Sequence, residues 1–311
     1  MYLRNHLIKI PRRCLSTEAR INPFIKSKLM SAEDIAEKFP EQVTIGASGF
    51  TLSGYPKVIP GAFAKRIQNS KNPEKFSINL FTGASTGDEL DGVLTRTGRM
   101  KLRIPYQSHN DLRKFINQGK IDFLDMHLSH VGKYIRERLF PPMDVAIIEA
   151  CDVTPDGRIY LTNSSGMSGT YLELAKDIYI ELNLAHPLDM KGLHDMYLPH
   201  SHTGRPINID HVDDRIGTPY VRVNPDRIKG IVQTNLLDST KGFKQPDEIS
   251  FKIANNILEF ILHEVEQGSK FYLFILFSIF YFSNEKRNSE KITSISIWCW
   301  KCRQCCFSVH R

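Results

Sequence analysis

Residues 77–92 read Ser-Ile-Asn-Leu-Phe-Thr-Gly-Ala-Ser-Thr-Gly-Asp-Glu-Leu-Asp-Gly. Ser77–Phe81 has the composition of a strand, and it runs directly into a turn bounded by Gly83 and Gly87. Strand, glycine turn and a following helix form the repeating unit of a sheet crossed by helices. The same alternation continues on both sides of this stretch. Ser31 and Asp34 open a helix that reaches Phe39, and residues 43–50 (VTIGASGF) form a β-rich run ending in glycine. Pro60 to Ser70 is helical in pattern, with Pro60 near its start. Residues 109–119 read as a helix stopped by Gly119, and 121–128 (IDFLDMHL) as strand-like. Residues 143–150 (MDVAIIEA) are almost continuously apolar, as in a strand covered on both faces. Further strands are predicted at 177–183 and 228–234, and a long helix from Asp247 to Gln267 carries a stripe of Ile249, Ile253, Ile257, Phe260, Ile261 and Val265. The fold class predicted is α/β: an open, mainly parallel sheet with helices on both faces.

Three glycine-rich turns fall at the carboxyl ends of predicted strands, the edge where open α/β sheets bind ligands. The first spans Gly46 to Lys57, the second Gly83 to Gly87 and the third Thr162 to Gly169. Small residues let a ligand approach the backbone, and exposed N–H groups can hold an anion; a tight turn that binds nothing is the alternative. The second turn also matches the G-x-S-x-G elbow of serine hydrolases, with Ser85 as nucleophile and Asp156 and His194 as partners in a triad. His127, His130, His194, His200, His202 and His211 lack the carboxylates at helical spacing that a metal centre uses, so they read as surface or hydrogen-bonded histidines and no metal site is predicted.

Of the net charge of +7, residues 1–15 carry +4 and residues 270–311 carry +5, leaving residues 16–269 at −2. A slightly acidic body has no electrostatic reason to seek nucleic acid. The first fifteen residues contain Arg4, Lys9, Arg12 and Arg13 and no acid, the composition of a mitochondrial transit peptide. Targeting to the mitochondrial matrix or a hydrogenosome-like organelle is therefore expected. The apolar run 271–282 has twelve residues where a membrane helix needs about 20, so no membrane span is predicted. Cys299, Cys302, Cys305 and Cys306 are too crowded to form two separated chelating pairs.

Taken in order, residues 48–60 (SGFTLSGYPKVIP), 78–92, 115–131 (FINQGKIDFLDMHLSHV), 145–159 (VAIIEACDVTPDGRI), 192–196 (GLHDM) and 222–235 (RVNPDRIKGIVQTN) resemble class I CoA-transferases of the succinyl-CoA:acetate and acetyl-CoA hydrolase branch. The resemblance implies a CoA-transferase-like half of the NagB/RpiA type, covering residues 16–269 between the leader (1–15) and an unrelated tail (270–311). It implies transfer of CoA between acyl-CoA and small carboxylates, with acetyl-CoA hydrolysis as the alternative, in a homodimer that needs no cofactor besides coenzyme A as substrate. Ser85 and Ser108 would face the carboxylate, and Gly49, Phe50, Gly54, Pro56, Gly83 and Thr86 would form the active-site loops. The family's nucleophilic glutamate lies in the second half, so no catalytic residue is expected here, and a non-catalytic fragment is a further reading. Relatives place an arginine after the Thr-Asn pair; here Thr234-Asn235 is followed by Lys241.

The tail has its own reading. Shifted by one base, the Trp298 and Trp300 codons become glycine, and residues 297–307 can be read as the family's Ser-Gly-Val-Gly-Asn segment. Residues 270–296 are then expected to translate a retained intron or insert.

Overall fold

The computed structural model describes residues 20–199, 206–240 and 245–267. The basic leader, Lys241, His200, His202 and the cysteine-rich tail lie outside the described residues. Two short helices, α1 (Pro23–Lys28) and α2 (Ala32–Glu37), precede strand β1 (Gln42–Ala47). Ser31 caps α2 by accepting the Asp34 N–H at 3.0 Å, so the predicted start of that helix is where the sequence places it. There follow α3 (Ile59–Asn69), β2 (Ser77–Phe81), a π-helical turn at Asp88–Gly92 running into α4 (Val93–Arg96), and β3 (Met100–Ile104). The chain continues through α5 (Asn110–Asn117), β4 (Asp122–Phe123), α6 (Leu128–Arg136) and β5 (Val145–Val153). Then come β6 (Arg158–Leu161), α7 (Ser168–Leu174), β7 (Asp177–Asn183), the two-residue β8 (Val221–Arg222) and β9 (Ile228–Thr234).

Strands β4, β3, β2, β1, β5, β7 and β9 lie side by side and parallel. Beyond the end of β1, the distal part of β5 pairs antiparallel with β6, and β6 with β8. The sheet is therefore mainly parallel, as predicted. Alternate residues of one strand enter different cores: Val145 and Ile147 pack with Phe39, Phe63 and Ile67, whereas Ala146 and Ile148 pack with Val131, Tyr171 and Leu172. Helices α2 and α3 thus cover one face, and α6 and α7 the other. The stretch expected to be strand-like at 121–128 holds only two strand residues, and its end begins α6.

By its contacts the chain divides into two units, residues 1–241 and 242–311. The sheet belongs to the first. The second contains α8 (Glu248–Glu266), whose stripe residues Ile249, Ile253 and Ile257 are exposed while Ile261 is buried. Among the described residues no helix is long and apolar enough to cross a membrane.

Candidate functional site

The three glycine turns meet at one point above the carboxyl ends of β1, β2 and β6. A methyl group on Gly83 would lie 2.4 Å from the Gly49 carbonyl oxygen and 3.0 Å from the Gly166 Cα. These turns touch backbone to backbone, an approach that only glycine permits. In the first turn Phe50 and Ser53 exchange backbone hydrogen bonds of 2.9 and 3.2 Å around Thr51 and Leu52. Both central residues hold positive φ, 52° and 64°, in the left-handed region that costs a β-branched or bulky residue about 1–2 kcal/mol. Something must hold this loop against its preference.

Two buried ionic clusters brace the turns, one under the second and one under the first. Arg103 grips Asp91 through Nε–Oδ1 at 2.8 Å and Nη2–Oδ2 at 3.0 Å, both side chains wholly buried. The pair reaches into the second turn: Asp91 Oδ2 accepts the Thr86 N–H at 3.1 Å, and Arg103 donates to the Ala84 carbonyl at 3.2 Å. The other cluster lies under the first turn. Lys57 Nζ sits 2.5 Å from Glu149 Oε2 and 2.9 Å from Asp238 Oδ1. Burial pulls the ammonium pKa down, but the two carboxylates outweigh it and the net shift is upward. Burial likewise pushes Asp238 up, yet Lys57 and the N–H donors around it bring it below its ordinary value. Asp238 also accepts from Gly54 N at 3.0 Å, Ser53 Oγ at 3.1 Å and Asn163 Nδ2 at 2.6 Å. One carboxylate therefore joins the segment after β9 to the first and third turns. Glu149, Asp238 and His186 are close enough together to hold a metal ion, but the Lys57 ammonium bridges the two carboxylates there.

An open cleft of about 450 Å³ lies where the turns meet, lined by Phe50, Gly83, Leu128, Asn163, Ser164, Ser165, Gly166, Met167 and His194. Of the residues expected at the site, Phe50 and Gly83 line this cleft. Gly49 and Gly54 (φ +119° and +65°) shape the first loop, and Thr86 is anchored through its N–H to Asp91. Pro56 is buried beside Tyr55, and Ser85 is 5% exposed, with its carbonyl accepting the Leu52 N–H at 3.3 Å. Ser108 is half-buried after β3. The hydrolase triad does not assemble. His194 Nε2 lies 2.6 Å from the Thr162 carbonyl, and Asp156 is engaged by Thr154, Arg158 and Arg222. The His127 and His130 rings lie 5.3 Å apart, tilted to each other, and both residues are exposed, as is His211.

The buried partners Lys57, Asp91, Arg103 and Asp238 are the residues that sequence reasoning did not single out. Of these only Arg103 lies in a strand, while Lys57, Asp91 and Asp238 sit in turns and connecting segments, so each meets its partner only through the fold.

An open α/β sheet with a cleft at its carboxyl edge, where Phe50, Leu128 and Met167 stand beside serine hydroxyls and glycine backbone, has the layout in which such sheets hold ligands. RipA from Yersinia pestis shares this architecture, with a TM-score of 0.51 at 11% identity over 72% of this chain and 46% of that one. The particular lineage follows from sequence: residues 16–233 match the acetyl-CoA hydrolase/transferase N-terminal domain, and the chain belongs to that family. It is 39% identical to the succinyl-CoA:acetate CoA-transferase of Clostridium kluyveri over 254 residues, 81% of this chain and 47% of that one. The propanoyl-CoA:succinate CoA transferase of Escherichia coli is 38% identical, over 77% of this chain and 49% of the relative. The acetyl-CoA hydrolase of Schizosaccharomyces pombe is also 38% identical, over 82% and 50%. The chain spans about half the length of the curated relatives it matches.

Proposed function

We propose that this protein takes part in moving coenzyme A between an acyl-CoA and a small carboxylate of the acetate or succinate kind, and that this chain supplies the carboxylate-facing side of the site. The cleft carries the proposal: beside the apolar side chains of Phe50, Leu128 and Met167 its lining offers hydroxyls, an amide, the His194 ring and glycine backbone, with no lysine, arginine or acid. Such a surface can hydrogen-bond a carboxylate or a thioester carbonyl without neutralising the one or hydrolysing the other. Ser85 and Ser108, from the resemblance, would extend it. The nucleophile would come from outside the described residues. Glu149 and Asp238 are paired with Lys57, Asp91 with Arg103, Glu89 accepts the Tyr55 and Ser239 hydroxyls, and Glu181 caps α3.

The test is an assay of this chain supplemented with the separately expressed second half of the Clostridium kluyveri relative. Acetate release from acetyl-CoA that depends on succinate supports transfer. Release that is indifferent to succinate supports acetyl-CoA hydrolysis instead, and a covalent acyl group on Ser85 would overturn both in favour of a serine hydrolase. A mitochondrial or hydrogenosome-like location is proposed from the basic leader. Recovery of cytosolic protein with Met1 intact would refute it.

A further inference from the structure

Two neighbouring side chains in the cleft are turned so that they offer acceptors. Asn163 Nδ2 lies 2.6 Å from Asp238 Oδ2, and a carboxylate can only accept, so the amide points its nitrogen at the ionic cluster. Its Oδ1 is left as an acceptor with no partner among the described residues. Ser164 gives its one hydroxyl proton to the Ser53 carbonyl at 2.7 Å, which leaves its oxygen only lone pairs to offer. Another part of the lining is apolar. Leu128 opens α6, and the Met167 sulfur lies 3.5 Å from where a methyl group on Gly132 of the same helix would stand. These two side chains therefore belong to the α6 side of the cleft, whereas Asn163 and Ser164 are tied to Asp238 and the first turn. No lysine, arginine or acid lines the cleft, and the buried cations near the turns are committed, Lys57 to Glu149 and Asp238 and Arg103 to Asp91.

We propose that this part of the cleft receives the pantetheine arm of the acyl-CoA, an uncharged chain of alkyl segments that carries two amide N–H groups. An amide N–H of the arm donates to Asn163 Oδ1, with Ser164 Oγ as a second acceptor beside it. The alkyl segments lie against Leu128 and Met167. The assignment rests on the CoA-transfer reading of the site given above and divides that site between its two ligands. Acceptors repel a free carboxylate, which keeps to the glycine side of the cleft, where Gly83 leads to Ser85. The nucleotide end of coenzyme A, with its phosphates, finds no cation in the lining and stays outside.

The test exchanges donors on the ligand as well as acceptors on the protein. Pantetheine, coenzyme A and an ester analogue of pantetheine, with oxygen in place of both amide N–H groups, are titrated into the full 311-residue chain and followed by ligand-observed NMR. Pantetheine and coenzyme A should bind within about threefold of each other, and added salt should change neither, because no charge on the arm is screened. The ester should bind about three- to tenfold more weakly, the effect of one lost hydrogen bond. In Asn163→Ala the amide and the ester should bind alike, a convergence that a loosened fold alone does not produce. Asn163 is exposed, so the substitution leaves the core intact; if the variant does not fold, the amide–ester comparison in the unaltered chain decides alone. Equal binding of amide and ester by the unaltered chain, a gap that persists in Asn163→Ala, or a preference for coenzyme A that salt abolishes overturns the assignment. Acetate binding alongside any of those results leaves the carboxylate reading standing. Failure of acetate, pantetheine and coenzyme A alike to bind overturns both.

Discussion

Glu181 is wholly buried on β7, and its carboxylate ends on three backbone N–H groups at the start of α3: Lys57 at 2.7 Å, Val58 at 2.9 Å and Ile59 at 2.7 Å. Those donors satisfy the open first turn of a helix and favour the anion. Burial opposes them and wins, pushing the carboxyl up to about 7, with the nearby Glu149 charge adding to the rise. Because the folded value exceeds the unfolded one, this stabilising contribution is complete below the unfolded carboxylate range and is lost as pH rises toward 7. His186 has the opposite sign in part of the same window, since burial lowers its pKa and its contribution is lost as pH falls. The difference between the unaltered chain and Glu181→Gln isolates the glutamate. Thermal melts should show the variant gaining relative stability from pH 5 to 7.5; a pH-independent difference would contradict the assignment. Lys57 gives a harsher outcome. Lys57→Met leaves Glu149 and Asp238 buried without their cation, and urea titration should show a loss of about 3–5 kcal/mol.

Elements were legible where their physics is local. The strands at 77–81, 177–183 and 228–234 coincide with β2, β7 and β9, since each is a β-branched or apolar run closed by a turn. Strand β3 was not anticipated, because Lys101 and Arg103 break its apolar pattern; Arg103 is nevertheless wholly buried, matched by Asp91 twelve residues earlier. Helix α6 was hidden behind the strand-like 121–128, because its first residue, Leu128, closes that apolar stretch. The antiparallel pairing of β6 with β8 joins segments more than 60 residues apart, a contact no local pattern encodes. The three turns were visible one at a time, but their convergence was not. That convergence makes opposite forecasts for two glycines. Gly83→Ala drives a methyl group into the Gly49 carbonyl and should cost about 1–3 kcal/mol. Gly61, in the first turn of α3 with open space beyond it, should tolerate alanine and gain about 0.5–1 kcal/mol. Denaturant midpoints moving the same way in both variants would refute the packing described for the turns.

At the scale of the whole molecule the question is whether this chain can do chemistry by itself. Acyl transfer through a carboxylate nucleophile requires an unpaired carboxylate within reach of the thioester, and correct placement is worth about 7–11 kcal/mol of the barrier. The cleft has no acid in its lining, and the buried carboxylates next to the three turns hold Lys57, Arg103, hydroxyls or a helix end. Freeing any of them would expose a buried cation or open a helix terminus, at a cost that thioester binding would have to offset. The chain by itself is therefore expected to bind a small carboxylate and to leave acetyl-CoA intact. Incubation with acetyl-CoA followed by borohydride should leave its mass unchanged, because reduction traps a glutamyl thioester only where one has formed. A modified glutamate or aspartate mapped by peptide mass between residues 20 and 267 would show that one of these ion pairs opens during turnover. The nucleophile would then lie in this chain rather than in another part of the protein.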